Sequence, residues 1–426
     1  MLEGIFLIVI VVTFLAIFFR PLNVPESIYV FIAIIFLLIT GILRFTDLGQ
    51  ALISFDVVKP YAVLVFFITF AILSTGLDEL GFFEYLSIKA IQLAKHDGLK
   101  LYKYLFVLSA VVSYVAANDI VILTLTPFIL YFTKYTKIKA RGYLISMFVV
   151  ANTASIGQIT SNPTNFIVSM VFDIAFLENL LYMFLPTILG LIAIYFILKK
   201  VFYKEFNLKY KEKKTDLSKI IKNKYQCRIF VVMLLVLMLF FAVAPLIKLE
   251  LWIVSAICAL LAIFVSQIKI KQLLKDLPWN VVVLVTGLFI LLYGFISTGL
   301  LYDIIQRLDS VVVGASYYVF LAVSFLVTLI CGIFNNIPST ALLSSILYNV
   351  KSVEQDIIAY AIIIGSNVGA NITILGSLAG IMWFHLIKKK KHKISLWDFT
   401  KYGIIATVPF VIIVTIVLYA EFLIFK

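Results

Sequence analysis

Apolar runs long enough to cross a bilayer recur from one end of this chain to the other, and that spacing constrains its fold more than any other feature. A helix needs about 20 apolar residues to traverse the hydrocarbon layer. The stretches 4–19, 27–43, 61–77, 142–171, 180–198, 228–247, 250–267, 280–297, 357–387 and 402–424 qualify as spans. Composition agrees: 63% of the 426 residues are hydrophobic and 13% charged, where soluble domains run at roughly 45–50% and about 25%. The mean hydropathy is +1.12. The net charge of +13 sits in short basic runs between apolar segments. That is the signature of cytoplasmic loops rather than of a nucleic-acid-binding face, so no nucleic-acid partner is expected; the partner is the lipid bilayer. The N-terminus has no basic region or small-residue cleavage site, so the first apolar run is expected to be retained. Cys227, Cys258 and Cys331 form no CxxC pair and are expected as small apolar core residues.

Two further apolar stretches, 104–133 and 316–350, read differently. The first is flanked by Lys95, Lys100 and Lys103 before it and by Lys134, Lys137, Lys139 and Arg141 after it. Basic flanks at both ends place both ends in the cytoplasm, so the stretch is expected to enter and return as a re-entrant hairpin with its tip at Ala117-Asn118-Asp119. The second is flanked by Asp303 and Asp309 before, and Glu354 and Asp356 after. It is expected to enter from the outside. Residues 199–227, with the Lys-Glu-Lys-Lys run, read as a cytoplasmic linker, and the lysines 388–391 as another cytoplasmic loop. On either side of the linker each part reads as three spans, a hairpin and two spans: residues 1–198, with hairpin 104–133 and broken helix 142–171, and residues 228–426, with hairpin 316–350 and broken helix 357–387. The first part starts outside and the second inside, so they are expected to be inverted copies. Gly76 and Gly81 recur as Gly294 and Gly299, an offset of 218 (294 − 76), and Asn118-Asp119-Ile120 recurs as Asn335-Asn336-Ile337, an offset of 217 (335 − 118). The expected fold is therefore an all-α polytopic membrane protein of about ten transmembrane helices plus two re-entrant hairpins in two inverted-topology repeats, the common plan of secondary transporters.

Polar residues at membrane depth are costly unless they have a partner or a purpose. They cluster in four places: AANDIVILTLTP (116–127), ANTASIGQITSNPTN (151–165), FNNIPST (334–340) and GSNVGANITILGS (365–377). The first and third lie at hairpin tips, where a helix N-terminus would aim its dipole and free N–H groups at an oxygen-bearing ligand. The second and fourth interrupt stretches of about 30 residues, longer than one span requires, and unwound backbone survives at that depth only where protein or a wet cavity satisfies it. Any single Ser, Thr or Asn here could serve only helix–helix packing; four clusters placed alike in both parts point to a solute site. Asp119 is the acid set deep in an apolar stretch. Two roles are open for it, protonation coupled to transport or a helix cap. The histidines His96, His385 and His392 fall at span ends or loops, and no metal site or cofactor is expected. No HExxH, membrane Ser/Lys dyad or Walker A sequence is present, so no enzymatic activity is expected.

At these four motifs the chain resembles the arsenite/antimonite exporter family of the ion transporter superfamily. ANDIVILTLTPFI, NTASIGQITSNPTN, FNNIPSTAL and GSNVGANITILGSLAGIMW carry the likeness, followed by the basic stretch KKKKHKISLWDFTKYG. The resemblance covers most of the chain. It implies a scaffold domain, a moving transport domain with two opposed hairpins, and proton-coupled expulsion of As(OH)3 or Sb(OH)3 across the plasma membrane. It also implies a homodimer built through the scaffold and, in some members, a soluble ATPase partner. The substrate- or ion-binding residues expected are Asn118, Asp119, Thr153, Ser155, Asn162, Thr164, Asn335, Asn336, Ser339, Thr340, Asn367, Asn371, Thr373 and Ser377, with Asp119 as the proton-coupling group. The chain departs from the family at Asn152 and Asn367, where Asp is usual. Such neutral amides suit Na+ or anion ligation as well, which keeps open a Na+- or H+-coupled carrier of an inorganic or carboxylate anion, or a Na+/H+ antiporter.

Overall fold

The structure is a computed structural model, and it describes residues 2–19, 24–53, 59–136, 138–210, 217, 220–243, 249–277, 279–299, 316–350, 354–389 and 394–425. Asp303, Asp309, the 211–214 charge run, Lys390, Lys391 and His392 lie outside the described residues. The described chain is all-α, with no β-strand beyond one isolated bridge between Asp97 and Lys209.

The helices fall into two series of the same order. The first comprises α1 (Leu2–Phe19), α2 (Glu26–Ile39), α3 (Phe45–Ile53), α4 (Pro60–Glu79), α5 (Phe82–Ala94), α6 (Gly98–Val115), α7 (Asn118–Thr136), α8 (Arg141–Ala154), α9 (Pro163–Phe172) and α10 (Phe176–Val201). The short α11 (Tyr203–Phe206) opens the linker. The second series comprises α12 (Lys224–Val243), α13 (Leu251–Ser266), α14 (Ile270–Asp276), α15 (Trp279–Ser297), α16 (Tyr317–Phe334), α17 (Asn336–Tyr348), α18 (Gln355–Gly369), α19 (Leu378–Lys389) and α20 (Leu396–Phe425). Among the described residues, α4, α6, α10, α12, α16 and α20 are long and apolar enough to cross a membrane, and shorter apolar helices accompany them. Leu181, Phe196, Leu239, Leu260 and Phe264 stand at least 60% exposed on the outer faces of α10, α12 and α13. Apolar surface of that extent belongs against lipid, and the chain is a multi-pass membrane protein.

The two series exchange packing partners. Helix α4 lies on α13 and α14, while its counterpart α15 lies on α2 and α3. At residue level Gly76 of α4 takes the ring of Phe230 from α12, and Gly294 of α15 takes the ring of Phe6 from α1. A Cβ would come within 2.2 Å of the first ring and 2.7 Å of the second, so glycine is what lets each pair of helices close. The glycines five residues on, Gly81 and Gly299, hold φ of 81° and 79°, a conformation costly for side chains with a Cβ. Further along, α9 packs on α17 and α7 on α19, so each hairpin's second arm meets the resumed half of the other series' broken helix.

The hairpin arms run beyond their apolar windows. Helix α6 begins at Gly98 because Asp97 caps it, accepting from the Lys100 N–H at 3.0 Å, and because the Gly98 N–H donates to the Leu208 carbonyl of the linker at 2.9 Å. Lys100 and Lys103 therefore ride on the helix, as long basic stems do near a membrane surface. Helix α16 starts under a similar cap, Ser316 accepting from the Val319 N–H at 3.3 Å.

Candidate functional site

Each broken helix unwinds for a reason written in its residues. After Ala154 the backbone passes through two short 3-10 turns, 155–157 and 159–161, with Gln158 and Asn162 extended, and Pro163 then starts α9 where no N–H is needed. Asn162 caps the restart, accepting from the Thr164 N–H at 3.1 Å. The carbonyls freed by unwinding are taken up by Asn165, whose Nδ2 donates to the Ser155 and Gln158 carbonyls at 2.7 and 2.8 Å. In the other series α18 ends at Gly369, the 3-10 turn 374–376 follows, and Ser377 accepts from the Gly380 N–H at 3.0 Å as α19 begins. Each break is tied to the first arm of its own hairpin: Ser161 donates to the Tyr114 carbonyl at 2.7 Å and Thr373 to the Gly332 carbonyl at 2.5 Å.

Between the breaks lies a buried network of amides. Asn152 and Asn367 hold equivalent places, two residues before the ends of α8 and α18. Asn152 accepts from Asn118 Nδ2 at 2.9 Å and donates to Asn371 Oδ1 at 3.0 Å and to the Phe148 carbonyl at 3.2 Å. Asn367 accepts from Ser155 Oγ at 2.6 Å and Asn162 Nδ2 at 2.8 Å, and donates to Asn165 Oδ1 at 2.5 Å and the Ile363 carbonyl at 2.8 Å. The first hairpin tip, both breaks and both series thus meet in one hydrogen-bonded cluster. One donor in it, Asn371 Nδ2, is buried without a partner among the described residues.

Of the residues expected in the site, Asn118, Ser155, Asn162, Asn367 and Asn371 converge in this network. The others stand apart from it. The Thr153 hydroxyl is spent on the Val149 and Val150 carbonyls of its own helix, and Thr164 reaches Asn165 Oδ1 only at 3.5 Å. Thr373 and Ser377 hold backbone at the second break. Asn335, with φ of 73°, caps α17 by accepting from the Ile337 N–H at 3.3 Å and reaches the Leu375 carbonyl at 3.5 Å. Thr340 donates to the Asn336 carbonyl at 2.6 Å. Asn336 and Ser339 are buried at the start of α17. Asp119 is half-buried beside Asn118, and its carboxylate accepts no cap hydrogen bond among the described residues; the acceptor on the Asp119 N–H is Asn118 Oδ1, at 2.9 Å.

Sequence reasoning left Asn152 and Asn165 out of the site. The signal for Asn152 was its equivalence to Asn367; Asn165 belongs to the same polar run but gives no local sign that it serves the break's carbonyls. Charge is scarce here: among the described residues the buried charged side chains are Glu26 and Glu205, and no lysine, arginine or histidine is buried.

Two helical series with exchanged partners, helices broken at depth, and hairpins meeting the breaks define a polytopic membrane transporter. The chain belongs to the citrate transporter (CitMHS) family, whose model matches residues 5–365. It is 28% identical over 355 residues to an arsenical pump membrane protein of Escherichia coli, covering 80% of this chain and 82% of that protein. It is 26% identical over 434 residues to a putative arsenical pump membrane protein of Bacillus subtilis, covering 95% and 96%. The motif resemblance to arsenite/antimonite exporters is borne out by these relatives. The fold is similar to that of the Alcanivorax borkumensis YdaH transporter, with a TM-score of 0.56 at 12% identity, covering 89% of this chain and 88% of that one.

Proposed function

We propose that this protein is a secondary active carrier that exports arsenite or antimonite in exchange for protons, acting as a carrier and not as a catalyst. The observation that carries this reading is the chemistry of the central cluster: amides and hydroxyls with one nearby acid, Asp119, and no buried cation among the described residues. A tricarboxylate moved into such a site would face a large desolvation cost with no counter-charge. Trivalent arsenic and antimony hydroxides are neutral at physiological pH and need only donors and acceptors, which amides supply together. The names of the relatives point the same way. Asp119 is the proton-coupling group in this reading, since its carboxylate has no hydrogen-bond partner among the described residues to hold it in one state. The two series act as inverted copies around the cluster, with both chain termini outside, so that rocking of one unit against the other exposes the site to each face in turn.

Everted membrane vesicles containing the protein test this directly. Arsenite accumulation that requires a pH gradient, and loses that requirement in Asp119→Asn, is the expected result. Gradient-driven citrate or inorganic-anion movement without arsenite movement would overturn the substrate and return the chain to the anion-carrier reading.

A further inference from the structure

Helices α10 and α20 pack on each other and end together at the linker, where the Phe202 and Tyr402 rings lie 4.6 Å apart. Toward that end α10 exposes Ile188, Ile192 and Phe196, and α20 exposes Ile412, Val408 and Ile404. Each set is spaced four residues apart, so it runs along one side of its helix. The next positions on those lines are charged. Lys200 on α10 and Lys401 on α20 are exposed, with Lys199 half-buried beside the first. Trp397, one turn beyond Lys401, stands 73% exposed. Helix α20 has 30 residues, about 45 Å at about 1.5 Å per residue, against a hydrocarbon layer of about 30 Å. Its ends must stand among lipid headgroups. A lysine and an indole one and two turns past side chains that meet acyl chains are at the level of the phosphates.

The acids nearby are already used. Glu205 is bonded to Arg141 at 2.5 Å, and Asp398 lies 3.4 Å from the same guanidinium. Lys199, Lys200 and Lys401 form no ion pair among the described residues. Lys199 and Lys401 instead lie 5.9 and 5.7 Å from the Tyr195 and Tyr402 rings, contacts that leave their charge uncompensated. We propose that this edge binds an anionic phospholipid in the leaflet that meets the linker, its phosphate held by Lys199, Lys200 and Lys401 and its upper chains lying on Phe196 and Trp397. A zwitterionic headgroup brings its own ammonium and leaves the three lysines unmet; an acidic headgroup meets them. A soluble acidic protein fits less well, because the lysines continue lines of lipid-facing side chains and headgroups already occupy that depth.

The test is native mass spectrometry of the full chain in detergent with phosphatidylglycerol or phosphatidylcholine added. Wild type is expected to retain the first and not the second. Lys199→Gln/Lys200→Gln/Lys401→Gln should bind phosphatidylglycerol about 100-fold more weakly. Lys269→Gln/Lys271→Gln/Lys275→Gln, which removes the same charge on and just before α14, should bind it as wild type does. Equal loss in both triple variants, or equal retention of the two lipids by wild type, overturns the site. Retention of neither lipid, which would leave the edge to a soluble partner, overturns it too, as does displacement of the lipid by inorganic phosphate at matched concentration. A second measurement does not depend on the lysine variants. In phosphatidylcholine vesicles holding a minority of brominated phosphatidylglycerol, Trp397 emission, taken as the difference between wild type and Trp397→Phe, should be quenched more than by the same fraction of brominated phosphatidylcholine. Equal quenching overturns the proposal even if the lysine variant does not fold.

Discussion

Replacing Asn367 by alanine removes one of the two most connected side chains in the central amide cluster. Four hydrogen bonds go at once: those accepted from Ser155 and Asn162 and those donated to Asn165 and the Ile363 carbonyl. Ser155 Oγ keeps a second acceptor, the Asn152 carbonyl at 2.9 Å. Among the described residues, Asn162 Nδ2 keeps none, and Asn165 Oδ1 keeps only Thr164 at 3.5 Å. One buried amide atom is thus orphaned and a second is left with a single marginal contact, at up to about 1–3 kcal/mol each, so the expected loss of stability is about 2–6 kcal/mol. Thr153→Ala is the reference, because that hydroxyl bonds only carbonyls of its own helix and its loss should cost about 1 kcal/mol or less. The assay is denaturant unfolding in mixed micelles, with a double-mutant cycle between Asn367 and Asn162 that should show a coupling of about 0.5–3 kcal/mol. If Asn367→Ala costs no more than Thr153→Ala, or the cycle closes to zero, the amide cluster does not hold the two series together and the reasoning fails.

Asp119→Asn should fold normally, since it breaks no side-chain hydrogen bond among the described residues, yet transport should no longer respond to the pH gradient; a retained response in vesicles would remove Asp119 from coupling. Gly294→Ala should cost about 1–3 kcal/mol by overpacking against Phe6 and Leu43, and Phe6→Leu in the same chain should recover most of it; a thermal melt of both variants decides. Arg141 bonds Glu205 through Nε at 3.0 Å and Nη2 at 2.5 Å, and Glu205 also accepts from the Gly142 N–H at 2.9 Å. Arg141→Met should therefore destabilise by about 1–3 kcal/mol, discounted from the fully buried case because the arginine is partly exposed, and an unchanged melting temperature would count against that ion pair. Proteoliposomes holding this chain alone should move arsenite on a pH gradient without ATP, and an absolute requirement for ATP and a second protein would refute autonomous transport.

Much of the placement of the candidate site was legible because its features are local. A glycine–asparagine–proline interruption in an apolar stretch marks a break whatever surrounds it, and Asn118 and Asn335 each mark a tip. What the residues along the chain do not encode is pairing at a distance. Asn152 meets Asn371 across 219 residues (371 − 152), and the fact that Thr153, next to it, turns its hydroxyl back onto its own helix depends on a rotation about the helix axis that hydropathy does not report. Helix ends were also less legible than helix centres. The start of α6 is fixed by the Asp97 cap and a linker carbonyl, neither of which an apolar window detects.

The exchange of partners between α4 and α15 bears on how the molecule is made. As synthesis proceeds, α2, α3 and α4 enter the membrane with their closing surfaces bare, because the helices that cover them, α13, α14 and α15, lie some two hundred residues further along. The Gly76 notch stands empty until Phe230 arrives, and the Phe6 ring has no seat until Gly294 does. Assembly is thus committed late, with neither part able to reach its final packing alone. A gene severed within the linker should yield two fragments that survive in the membrane together and are cleared when either is made by itself.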